Sequence, residues 1–288
     1  MKDLILNADD FGYTRGVNEG IVRAHREGIL TSATLMANGP AFDDAVEQAR
    51  ANPKLGVGCH LVLTGGLSVA PREEIPSLTD REGRLPRSLG ALVARLSIGS
   101  VRTKDIETEL RAQLERIRRA GIELTHVDTH KHTHVHPRVM AAIGRVAQEF
   151  GITRVRNPVE NLRDSWRTAR SEHAGLVGNM AASTSVRAVG AWFKSISRKY
   201  GLHSPDHFLG LALTGRLSAD ALCRLIDTLP DGRTEIMSHP GVCDAELVKS
   251  GSRLQQQRQM ELDGLLSAEA SHAVEAKGIR LISYRELN

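Results

Sequence analysis

Four separated polar clusters carry the side chains that bind metal ions and move protons. They are Asn7-Ala8-Asp9-Asp10-Phe11-Gly12, Gly58-Cys59-His60, the run from His126 to Pro137, and Glu235-Ile236-Met237-Ser238-His239-Pro240-Gly241. One carboxylate and two imidazoles leave coordination positions open for water and substrate. Such a set suits Zn²⁺ or another first-row divalent ion better than Ca²⁺, with Mg²⁺ kept as an alternative. An ion held this way polarises a carbonyl oxygen and acidifies a water, whose proton a free carboxylate nearby can take.

Each cluster supplies part of that chemistry. A strand would send the side chains of Asp9 and Asp10 to opposite faces, but a turn can bring both toward one centre, one to bind metal and the other to act as base. The competing explanation is an aspartate that only closes a turn or caps a helix. His60 ends an apolar run, and a histidine so placed gains meaning only from its partners. In the long run His126, Asp128, His130, His132, His134 and His136 alternate with other residues, so extended backbone would put all six on one face. They cannot all bind one ion: those nearest the strand end would be ligands or their partners, and the later ones would line the cleft or start the next helix. A surface tract that binds metals adventitiously is the alternative. His239, in a turn after another apolar run, is placed to protonate a leaving group from the side opposite the base.

The elements that must position these clusters alternate. Apolar β-type runs recur at 4–7, 32–36, 55–61, 124–127, 153–155, 208–211, 234–237 and 279–283, with amphipathic helical patterns between most of them. Gly121 is set to stop one helix, Pro137 to open another and Ser218 to cap a third. A βαβα rhythm with right-handed crossovers leaves an open doubly wound sheet or a closed barrel. The clusters follow the first, third, fourth and seventh strands, and separated strand ends converge readily on the C-terminal face of a barrel. The expected fold is therefore α/β, a distorted TIM-barrel-like (β/α) barrel of about seven or eight parallel strands. It forms a single domain over residues 1–288, with insertions near 65–101 and 160–205. The second insertion holds both tryptophans, Trp166 and Trp192, a small polar run at 181–185 and an amphipathic stretch through Phe193 to Tyr200. A helix packed on the barrel explains that stretch most simply, and a lid for an apolar or membrane-associated substrate is the sharper alternative.

Composition narrows the classes. The three cysteines, Cys59, Cys223 and Cys243, are isolated, which argues against a disulfide framework or a zinc ribbon and for a reducing compartment. No apolar leader and no long apolar span is encoded, so a cytoplasmic location is expected. A net charge of +4, dispersed along the chain, gives no support to nucleic-acid binding.

Taken in order, Asn-Ala-Asp-Asp-Phe-Gly at 7–12, Gly-x-His-Leu-x-Leu-Thr-Gly at 58–65, Thr-His-x-Asp-Thr-His-x-His-x-His at 125–134 and Glu-x-x-x-His-Pro-Gly at 235–241 resemble the YdjC-like carbohydrate deacetylases. The resemblance spans nearly the whole chain. It implies a distorted barrel that removes acetyl groups from N-acetylated sugars with one divalent metal ion. Carried over position by position, it makes Asp10, His60 and His130 the metal ligands, Asp9 the general base and His239 the general acid. Arg156 would orient Asp9 or the substrate, while Asp128, His132, His134 and Glu235 would support the site or line the cleft. Cys59 departs from the aliphatic residue that usually precedes the histidine. The segment 160–205 and the stretch 200–210 look closer to the branch associated with hopanoid biosynthesis, which implies a hopanoid-linked N-acetylglucosamine and peripheral membrane contact. A free oligosaccharide substrate and a homo-oligomeric state stay open. The competing functions are a metal-dependent sugar isomerase or phosphoesterase, and a non-enzymatic His-rich metal-binding protein.

Overall fold

The computed structural model describes residues 2–160 and 190–287. Among them seven strands form one all-parallel sheet: β1 (Lys2–Phe11), β2 (Ser32–Leu35), β3 (Gly56–Leu61), β4 (Val127–Thr129), β5 (His207–Leu209), β6 (Gly232–Ser238) and β7 (Arg280–Leu281). The order is β4-β3-β2-β1-β6-β5, with β7 paired to the start of β1. The run at 153–155 appears as two parallel bridges, Val127 with Val155 and Arg154 with His203. The chain leading from His203 into β5 thus touches one edge of the sheet, and β5 itself pairs with β6 at the other. The sheet curls into the expected distorted barrel. β4 begins later than the apolar run at 124–127, although Thr125 N–H and His126 C=O already bond to Val57 and Cys59.

The described helices are α1 (Arg15–Glu27), α2 (Phe42–Ala51), α3 (Leu89–Ser97), α4 (Thr103–Arg119), α5 (Pro137–Glu149), α6 (Gly190–Lys199), α7 (Ala219–Asp227), α8 (Ala245–Lys249), α9 (Gln256–Leu266) and α10 (Ala268–Ala276). None is long and apolar enough to cross a membrane. The sequence signals at their ends hold. Ser218 accepts the Ala221 N–H, Pro137 opens α5, and Gly121 follows α4 with φ of 71°.

Alternation along β1 explains how a buried strand can carry a polar site. Leu4, Leu6 and Ala8 join the large apolar core. Ile5 instead packs with Ile282, Tyr284 and Leu287 in a small separate cluster. Asn7 and Asp9 follow Ile5 at the two-residue period, so the barrel interior changes from apolar to polar toward the C-terminal end.

The insertions differ in what is described. The loop from 65 is pinned by buried Glu109 of α4, which accepts the Val69 and Ala70 N–H groups at 2.9 Å each. Trp166 and the run at 181–185 lie outside the described residues. The amphipathic stretch forms α6, which packs on α5, and its Phe193 is buried against His134 in the turn before α5, ring centroids 5.9 Å apart.

Candidate active site

The Asp9-Asp10 pair meets its geometric requirement through the backbone. Asp10 has φ of 67°, in the left-handed region, and the β1–β2 register shifts between Ala8 and Phe11. Aspartate tolerates this region better than most residues, and outliers of this kind concentrate at functional sites. The turn aims Asp10 toward the ends of β3 and β4. Asp10 Oδ1 lies 3.4 Å from His60 Nε2 and 3.2 Å from His130 Nδ1.

These three residues offer ligand atoms all within 4.8 Å of one another, so the buried group could bind a metal ion. Two of the atoms, Asp10 Oδ1 and His60 Nε2, are buried without a hydrogen-bond partner. Buried polar atoms are normally satisfied, so a pair of orphans facing each other fits a cation between them. The other ring nitrogen of His60 is 2.7 Å from Asp128 Oδ1, the outer carboxylate contact that fixes ring orientation in metal sites. Asp9, His60 and Asp128 also cluster, but there the cation position is filled by the Arg156 guanidinium.

Arg156 is fully buried and joins three carboxylates. It donates to both oxygens of Asp9 at 2.6 and 2.7 Å and to Glu235 at 2.8 Å, and it lies 2.6 Å from Asp128 Oδ2. Burial alone would raise the Asp9 carboxyl, but Arg156 and the neighbouring His60 hold it well below the usual carboxylate range. Asp9 is therefore an ionised, oriented carboxylate. Burial and the fellow carboxylate Asp128 push Glu235 up to about 7 against the pull of Arg156 and of Tyr284, whose hydroxyl donates to it at 2.6 Å.

His239 Nε2 lies 4.0 Å from Asp9 Oδ2, and burial lowers this histidine to about 4. Its backbone N–H donates to buried Glu261. Asp9, Asp10, His60, His130 and His239 all line a cleft of about 500 Å³, walled further by Tyr13, Lys131, Leu211, Met237 and Arg253. No residue of the 65–101 insertion lines it.

The histidine run departs from the single extended face expected of it. Extended backbone lasts only to Thr129. Residues His130–Val135 then turn tightly, with Lys131 and His132 at φ of 56° and 51°. His130 reaches Asp10 and His132 lines the cleft. His134 is turned away: its Nδ1 meets Thr129 Oγ1 at 2.6 Å, and its Nε2 lies 3.2 Å from the Arg156 carbonyl. His126 stacks on Tyr284 at 3.6 Å, and His136 caps α5. Strict alternation holds only while the strand does, and the run ends its strand after Thr129.

Sequence reasoning missed Arg258 and Glu261. Arg258 Nη2 donates to Asp10 Oδ2, and Glu261 holds the His239 and Gly215 N–H groups. A signal was present, since Arg258, Glu261, Leu262 and Leu265 share one face at helical spacing and two charges there interrupt an apolar stripe. Thr34, whose hydroxyl donates to Asp128 at 3.2 Å, gave no comparable signal.

Known proteins share this chain from end to end. It is 39% identical over 285 residues to a carbohydrate deacetylase of Brevibacillus brevis, covering 99% of each chain. It is 40% identical over 283 residues to a carbohydrate deacetylase of Geobacillus stearothermophilus, covering 98% of this chain and 96% of that one. With a chitooligosaccharide deacetylase of Escherichia fergusonii the identity is 33% over 285 residues, covering 99% and 98%. A crystal structure of an Enterococcus faecalis protein superposes with a TM-score of 0.78 at 27% identity, covering 99% and 98% of the two chains. The family model described as YdjC-like protein matches residues 3–276, and the chain belongs to the YdjC-like family.

Proposed function

We propose that the protein is a divalent-metal-dependent hydrolase that removes the acetyl group from an N-acetylated amino sugar. The observation that carries this reading is the pair of buried, unpartnered ligand atoms, Asp10 Oδ1 and His60 Nε2, facing each other beside an ionised carboxylate that is not needed as a ligand. The deacetylase relatives supply the substrate class. Asp10, His60 and His130 would hold the ion, with Zn²⁺ preferred for one carboxylate and two imidazoles. When bound, the ion supplies Lewis acidity toward the acetamide oxygen and toward water.

The remaining steps belong to the protein's own side chains. Asp9, fixed by Arg156, takes a proton from the attacking water as the water oxygen bonds to the acetyl carbon. His239 is neutral at rest, so it has no proton to give at the outset. Asp9 is too acidic to keep the proton it takes, and His239 Nε2 stands 4.0 Å away. The proton passes from Asp9 to His239 and then to the nitrogen, which leaves with the electron pair of the broken C–N bond. The products are acetate and the free amino sugar, with the leftover proton of the water released to the amine or solvent.

The substrate is a free oligosaccharide of N-acetylated amino sugars. The hopanoid-linked form rests on the 160–205 segment, of which 161–189 lie outside the described residues, and α6 packs against the barrel. The test is acetate release from N-acetylglucosamine oligomers by wild type and Asp9→Asn, with metal content measured in both. The variant should retain its ion and lose roughly 10²–10⁴-fold in rate. Undiminished acetate release with the ion in place removes Asp9 as the base, and phosphate release or aldose-ketose conversion without acetate replaces the reading altogether.

A further inference from the structure

The geometry points to Arg258 as a positioning residue for the metal ligand Asp10, an inference that rests on the proposed metal-dependent reading. Arg258 projects from α9 and is 3% exposed. Its Nη2 donates to Asp10 Oδ2 at 2.5 Å, while its Nε and Nη1 are buried without partners. A guanidinium with two unsatisfied donors is costly to bury, and here its one close carboxylate is the proposed ligand.

The contact divides the two oxygens of Asp10 between two tasks. Oδ2 is held by Arg258, and Oδ1 is left free, 3.4 Å from His60 Nε2 and 3.2 Å from His130 Nδ1. With Oδ2 engaged, Asp10 would offer an ion a single oxygen, which fits the low coordination number of a zinc-type centre rather than the many-oxygen shell of calcium. Arg258 is itself confined. Its guanidinium lies 5.7 Å from the centre of the Tyr13 ring, and its backbone carbonyl accepts the Gly241 N–H at 3.2 Å. The left-handed turn that presents Asp10 is thereby buttressed from an element remote in sequence.

Positioning and simple electrostatics predict opposite signs. Removing a positive charge beside a cation site strengthens cation binding by Coulomb's law, whereas removing an outer partner of a ligand weakens it, by about 10–100-fold in other metal sites. The experiment is Zn²⁺ affinity of the full chain, read by competition with a chromophoric chelator, for wild type, Arg258→Met, Arg258→Lys and His60→Ala, each checked for folding by circular dichroism. Arg258→Met should bind about 10–100-fold more weakly, and Arg258→Lys should recover most of the loss. Unchanged or tighter binding in folded Arg258→Met overturns the inference. Should Arg258→Met not fold, Arg258→Gln, uncharged and with an amide that stops short of the reach of Arg258 Nη2 to Asp10, gives the same reading: weaker binding supports positioning, and equal or tighter binding overturns it. His60→Ala separates the two levels. If it abolishes Zn²⁺ binding while the Arg258 variants leave it intact, only the role of Arg258 falls; if His60→Ala binds as tightly as wild type, the metal site itself is misassigned.

Discussion

At the residue scale, a buried guanidinium keeps three carboxylates ionisable inside the barrel. Replacing Arg156 by Met strands Asp9, Asp128 and Glu235 without their cation. Loss of one partner from a buried charge cluster costs about 3–5 kcal/mol, so urea denaturation should show a folding stability reduced by that order, and a loss below about 1 kcal/mol would contradict the role given to Arg156. His134 yields a pH prediction. Burial, reinforced by Arg156, lowers it to about 3, far under the ordinary histidine value. The unfolded chain binds this proton near pH 6.5 and the folded chain does not, so the stability His134 contributes is present above about pH 6.5 and is lost as pH falls toward 3. Between pH 6 and 4, His134→Gln should flatten the fall of stability with acidification by about 1.4 kcal/mol per pH unit, the slope of one proton. Parallel curves for wild type and variant would show that His134 is protonated in the folded state.

At the element scale, the site depends on how closely the loops behind the strands approach their neighbours. Gly20 of α1 touches the loop after β6, and a Cβ on it would lie 2.5 Å from the Cα of Gly241, two residues beyond His239. Gly20→Ala should therefore displace that loop at an overpacking cost of about 1–3 kcal/mol. We expect acetate release to drop further than Zn²⁺ affinity, because His239 sits on the displaced loop, whereas that loop reaches the proposed ligand Asp10 only indirectly, through the Gly241 N–H bond to the Arg258 carbonyl. A loss of metal binding as large as the loss of acetate release would mean that the loop supports the proposed ligands as directly as it supports His239. The elements themselves were largely legible in the sequence, since apolar periodicity and the Ser218, Pro137 and Gly121 signals are local. The strand at 153–155 appears only as bridges, and the single face that extended backbone would give the histidine run ends at Thr129, although His132 lines the cleft and His136 starts α5 as expected. The cause is shared: a period of two describes a strand but cannot report where the strand stops, and two left-handed residues at Lys131 and His132 redirect every side chain after them.

At the scale of the whole molecule, a curled parallel sheet gathers the ends of β1, β3, β4 and β6 so that residues from Asp9 to His239 face one cleft. The order of the clusters along the chain made that convergence readable. The contributions of Arg258 and Glu261 were harder to read, because they reach the site from α9, and helix-to-strand-end contacts leave no motif of their own. The central claim is that one divalent ion at Asp10, His60 and His130 is required to release acetate from an N-acetylated sugar. The most direct measurement titrates chelator-stripped protein with Zn²⁺ and follows acetate released from N-acetylglucosamine oligomers. The account predicts no acetate from the stripped protein, then a rise in proportion to added ion that stops at one equivalent, and no rise in His60→Ala. Acetate release by the stripped protein, or a wild-type response in His60→Ala, would contradict it.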